Sequence, residues 1–144
     1  MDNNVAIIEL NALLKGQYMG IHQYENYIQH TSDQQLKKQL QRIQQDHKRH
    51  ALVIAERIQN LGGTPVDSTG FVGNMQEMMS KMKGLPDQNS ELIQELLVAE
   101  DKYAVELSEE IVKGDLDPES KKIVEQVIDE DRGHVQELKN LLIH

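Results

Sequence analysis

Apolar side chains recur at steps of three and four along four separate stretches of the chain, the spacing that gathers them on one face of an α-helix. Residues 4–30 supply Leu10, Leu14, Ile21, Tyr24 and Ile28, and residues 33–61 supply Leu36, Leu40, Ile43, Ile54 and Leu61. Residues 90–113 supply Ile93, Leu96, Tyr103, Leu107 and Ile111, and residues 118–142 supply Val124, Val127, Leu138 and Leu141. No run of four to eight residues alternates in the manner of a half-buried strand. The pattern is all-α.

Turn and cap residues set the order of the helices. His30 is followed by Thr31, Ser32 and Asp33, short polar side chains suited to a helix start. The second helix stops at Gly62 and Gly63, with Pro65 beyond. Ser90 suits the start of the third helix, and Asp117-Pro118 that of the fourth, where proline fits the first turn. Short links make helices one and two, and three and four, antiparallel hairpins. The crossover between them, about 62–89, carries five glycines and two prolines and is long enough to return along the bundle. Within it, residues 74–83 predict a short extra helix with Met75, Met78, Met79 and Met82 on one face, suited to covering the bundle or to an oligomer contact. The expectation is one antiparallel four-helix bundle domain spanning 1–144.

Each stripe turns polar near its middle, at Gln17, at His47 and His50, at Glu100, and at Asp131 and His134. The helix midpoints fall near residues 17, 47, 101 and 130, and midpoints share a layer whichever way the helices run. These six side chains should therefore meet inside, where they must satisfy one another or bind water or an ion. The two hairpins repeat one design. From residue 17 to 47 and 50 the separations are 30 and 33; from 100 to 131 and 134 they are 31 and 34. Asp46-His47-Lys48-Arg49-His50 likewise resembles Glu130-Asp131-Arg132-Gly133-His134. Asp46 and His50, and Glu130 and His134, form i, i+4 pairs whose carboxylates are expected to orient the imidazoles, with direct metal ligation as the alternative. Tyr24 and Tyr103 fall beside the layer, first of all as packing.

Composition narrows the function. One Phe, four Tyr and no Trp leave a core of Leu, Ile, Val and Met. The lack of cysteine excludes disulfides, thiolate metal sites, iron–sulfur clusters and thiol catalysis. A net charge of −9 and a pI near 5.1 argue against nucleic acid and suit the attraction of cations. Met1 to Ala6 show no secretory pattern, and no apolar run approaches the about 18 residues of a membrane span. A cytoplasmic protein without a membrane partner is expected.

With these residues in place, the whole chain resembles the ferritin-like superfamily, in particular small rubrerythrin-like bundles. The segment from Gly70 through Phe71 to Met78 is similar to uncharacterised bacterial members. The resemblance implies a metal pattern of one glutamate from each of two helices and a Glu-x-x-His from each of the other two. By position these fall on Gln17 and Glu100, and on His47…His50 and Asp131…His134. Glu100, His50 and His134 match in type. Gln17 is a neutral amide, His47 stands where a bridging glutamate is the family pattern, and Asp131 is one methylene shorter. Two carboxylates remain, so one ion is expected, with a two-ion site as the lesser alternative, and imidazole with carboxylate suits iron, zinc or manganese. The resemblance implies iron handling or oxidative-stress protection, and the altered ligands leave enzyme activity open. The rival expectation is a metal-free structural protein, its polar layer a hydrogen-bond network, forming a homo-oligomer through its outer faces and the methionine segment.

Overall fold

A computed structural model describes residues 3–67 and 88–143 of the chain, so the helix expected at 74–83 lies outside the described residues. Helix α1 runs Asn4–His30, α2 Gln34–Asn60 and α4 Pro118–Ile143. Helix α3 is continuous but has three parts: an α-helical Asn89–Ala99, a π-helical Glu100–Glu106 and an α-helical Leu107–Val112.

Local chemistry sets the ends. Asp33 Oδ1 accepts from the backbone N–H of Gln35 at 3.0 Å and of Leu36 at 3.2 Å, capping α2 as expected. At the other end Gly62 takes φ 89°, and its N–H and that of Gly63 donate back to Gln59 O and Ile58 O. This paired closure of the last turn requires a left-handed residue, which glycine adopts without strain. Helix α3 begins at Asn89, one residue before Ser90. Asn89 is tied to the α1–α2 turn, donating to Asp33 Oδ2 at 3.2 Å and accepting from Thr31 Oγ1 at 3.3 Å.

Those ties fix the topology. The crossover leaves α2 near the start of α1, where Asn11 accepts from Val66 N at 2.9 Å and donates to Thr64 O at 3.2 Å. It arrives at Asn89, beside the far end of α1. The two described ends of the crossover therefore lie at opposite ends of the bundle, α1 packs on α2 and α3, and α4 packs on α2 and α3. Every one of these neighbours is antiparallel, the up-down, crossover, down-up arrangement read from the link lengths.

The stripes read from sequence are buried except at Leu61 and Leu141, which are half-buried, and they slip in α3. A π turn takes an extra residue, so beyond Glu100 the buried face passes to Ala104, Val105, Ser108 and Ile111, leaving the expected Leu107 half-buried. Two apolar clusters result. One gathers Leu10, Leu14, Ile54, Ile58, Val124 and their neighbours; the other gathers Tyr24, Leu40, Ile43, Leu96, Leu138 and theirs. Each fully buried Leu or Ile stabilises by about 1.5–3 kcal/mol. The six polar residues lie between the two clusters. Among the described residues no helix is long and apolar enough to cross a membrane.

Candidate metal centre

Gln17, His47, His50, Glu100, Asp131 and His134 are all buried at mid-height, Asp131 completely. One ligand atom from each of His47, Glu100, Asp131 and His134 lies within 4.8 Å of the others. Gln17 and His50 border this group of four. His47 Nδ1 lies 2.7 Å from Gln17 Oε1 and its Nε2 3.0 Å from Glu100 Oε2. His134 Nδ1 lies 2.8 Å from Glu100 Oε1. His50 Nδ1 lies 3.3 Å from Gln17 Oε1.

The outer carboxylates pair crosswise. Asp46 on α2 accepts from His134 Nε2 on α4 at 2.8 Å, and Glu130 on α4 accepts from His50 Nε2 on α2. The i, i+4 spacing suggested pairs along each helix. The facing helix supplies the partner in both cases instead. Arg49 joins the two carboxylates, its Nη2 lying 3.0 Å from Asp46 Oδ1 and 3.0 Å from Glu130 Oε1.

These partners settle the protons. Burial lowers the His50 pKa despite nearby carboxylates, which favours the neutral ring; in that form, with Nε2–H given to Glu130, Nδ1 carries a lone pair. Burial opposes charge on His47 and His134 too, but the carboxylates around them prevail. Glu100 raises His47, while Asp131, Glu100 and Asp46 push His134 up to about 10. Glu100 is held well below the usual carboxylate range: burial pushes it up, and His47 and His134 more than offset that. Tyr24 donates to Glu100 Oε2 at 2.8 Å, and burial beside that carboxylate raises its hydroxyl far above the ordinary value. The side chain of Tyr103 lies outside the described residues.

One atom is left over. Asp131 Oδ1 is buried and has no hydrogen-bond partner among the described residues. It stands 3.3 Å from His134 Nδ1, 3.6 Å from His50 Nδ1 and 3.8 Å from His47 Nδ1. The first is an ion pair that helps raise His134 but is too poorly aligned for a hydrogen bond, and the other two are too long for one. A buried carboxylate oxygen facing three imidazole nitrogens, one of them a lone pair, is a donor set that a cation fits. Sequence reading missed Arg49 as the link between the outer carboxylates and Tyr24 as a donor to the layer. Only the i−4 placing of Asp46 and Glu130 before the two histidines hinted at this outer shell.

Fold and site together define a ferritin-like four-helix bundle with a buried His/Glu/Asp cluster. Residues 5–114 match the family described as a domain of unknown function (DUF2383), and the chain belongs to that family. No curated protein matches it. Among solved structures the chain is similar to the dodecameric thioferritin of Bacteroides fragilis, a bacterioferritin-related protein. The TM-score is 0.76 at 21% identity, over 99% of this chain and 87% of that one. It is also similar to a two-domain protein from Anabaena variabilis containing DJ-1/ThiJ/PfpI-like and ferritin-like domains. There the TM-score is 0.79 at 17% identity, over 99% of this chain and 40% of that one. At these identities the likeness is one of fold.

Proposed function

We propose that this chain, read as one ferritin-like domain over 1–144, holds a single divalent cation at mid-bundle and serves in iron handling or oxidative-stress protection. His47, Glu100, Asp131 and His134 would hold the ion, with His50 Nδ1 as a fifth donor beside Asp131 and the Gln17 amide steadying His47 and His50. The observation that carries this reading is the unpartnered Asp131 Oδ1 among three imidazole nitrogens.

Charge supports one ion rather than two. The layer contains two carboxylates, Glu100 and Asp131, which balance one divalent cation, and a second ion would leave two positive charges buried without compensation. Without metal the same carboxylates are balanced by protons on His47 and His134. Binding a divalent cation there then releases protons from the imidazoles. The ferritin-like fold makes iron the first metal to test, and iron bound there would supply one-electron redox chemistry. The chain's own residues orient the ligands through Asp46, Glu130 and Tyr24, and the two apolar clusters flank the layer above and below. Self-association belongs to the same reading, supported by the dodecameric neighbour and by exposed Ile8, Leu52 and Val98.

A second reading has an observation of its own. The contacts of His47 with Gln17 at 2.7 Å and of His134 with Glu100 at 2.8 Å form a connected network that needs no ion. Asp131→Asn separates the two, because it keeps the shape and adds a donor. If the cluster binds metal, the variant loses the rise in melting temperature on adding Fe²⁺ or Zn²⁺ anaerobically. If the layer is only a network, neither protein responds to metal.

A further inference from the structure

The buried cluster meets the surface on one side. Between α2 and α4 runs a groove of about 410 Å³ whose lining includes Arg49, His50, Val53, Gln126, Asp129 and Glu130. Of the six cluster residues, His50 alone lines it. Glu130 faces both ways there. Its Oε2 holds His50 Nε2, its Oε1 holds Arg49, and its side chain is 40% exposed. Asp46 does the same for His134, through Oδ2 to the ring and Oδ1 to Arg49.

Resting on the metal-binding reading above, we infer that this groove is the route by which a divalent cation enters the cluster, with Arg49 as its gate. Arg49 spans the α2–α4 seam directly outside the two outer histidines, so a cation approaching Glu130 or Asp46 meets a like charge already seated on both. The strap is weakly held, since Arg49 is 53% exposed and ion pairs in water are screened. It is also single. The position matching Arg49 in the sequence repeat is Gly133, where an added Cβ would meet nothing within 4 Å. When Arg49 swings into solvent, Glu130 and Asp46 each present an oxygen to the cation while the other stays on the imidazole. These carboxylates relay the ion inward and are not its final ligands. A second groove, of about 290 Å³, flanks α4 elsewhere and is lined by Val112, Glu125 and Ile128, but by no cluster residue. It serves as the comparison.

The test is the rate of Co²⁺ entry into chelator-treated protein, followed by stopped-flow visible absorbance with the end-point amplitude measured alongside. Arg49→Gln is expected to speed uptake by about tenfold or more, since fixed charge at a site mouth changes cation on-rates on that scale. Gln126→Trp, filling the groove, is expected to slow uptake by a similar factor at unchanged amplitude. Val112→Trp, filling the other groove, is expected to leave the rate as it was. If the parent takes up Co²⁺ but neither Arg49→Gln nor Gln126→Trp alters the rate, the route is wrong and the metal site stands. The same holds if both tryptophan variants slow entry equally. If the parent takes up none, the route and the metal site both fall.

Discussion

His134 on α4 gives its Nε2–H to Asp46 on α2, 2.8 Å away, and not to Glu130, which lies four residues earlier on its own helix. Glu130 returns the exchange by holding His50 of α2. Each histidine is thereby locked by the opposite helix with Nδ1 turned inward, toward Asp131 and either Glu100 or Gln17. The pairing joins the two hairpins at the height where apolar contact is interrupted.

Asp46→Asn should therefore weaken metal binding without unfolding the bundle. The amide accepts a poorer hydrogen bond and frees the His134 ring to rotate. Loss of such a supporting carboxylate typically costs about 10–100-fold in affinity. Competition titration against a zinc indicator measures it, and Glu130→Gln should act in the same direction through His50.

Tyr24→Phe removes the hydroxyl that donates to Glu100 Oε2 at 2.8 Å inside the core. A hydrogen bond to a buried charge contributes about 1.5–3 kcal/mol, and the carboxylate has no water to replace it. Urea unfolding of metal-free protein should show a loss on that order with an unchanged slope.

Chelated and metal-loaded protein should respond to pH in opposite directions. His134, pushed up to about 10 in the fold, stabilises the metal-free chain fully below the ordinary histidine value of about 6.5. That contribution fades as pH rises through about 10. Metal binding must displace protons from His47 and His134, so affinity should rise with pH over the same interval. Melting temperatures from pH 6 to 10, with chelator and with Zn²⁺, should diverge. Parallel curves would count against proton–metal exchange.

At the bundle end, Arg57 near the C-terminus of α2 clamps the start of α4. It donates to Asp117 Oδ2 at 2.6 Å, to Ser120 Oγ at 2.9 Å and to Glu119 Oε2 at 3.0 Å. Burial works against the Asp117 carboxylate, but Ser120 and Arg57 hold it below its usual range. Its stabilisation is present above the ordinary aspartate value of about 3.9 and is lost as pH falls through the lower folded value. Arg57→Ala should cost about 1–3 kcal/mol at neutral pH, and the penalty should shrink in acid, as read by urea unfolding at pH 7 and pH 3.

The fold was legible because each helix carries its own period and its own stop. Leu10 through Ile28, Asp33 as a cap, Gly62 with its positive φ and Pro118 at a first turn are all local signals. The layer was legible because six polar residues interrupt four apolar stripes at matching heights. Two things were not. The π turn at Glu100 leaves no mark in the 3.6-residue pattern, so Ser108 displaced Leu107 from the buried face. The crossed carboxylates and the Arg49 strap depend on how α2 faces α4, a relationship between helices that spacing along either one does not carry.

The most direct test of the central claim is the metal content of the chain under native mass spectrometry, after anaerobic loading with Fe²⁺, Mn²⁺ or Zn²⁺ and desalting. The expected result is one ion per chain in the parent and none in Asp131→Asn or His134→Ala. A parent that retains no metal, or variants that retain as much as the parent, would contradict a cation held by the mid-bundle cluster.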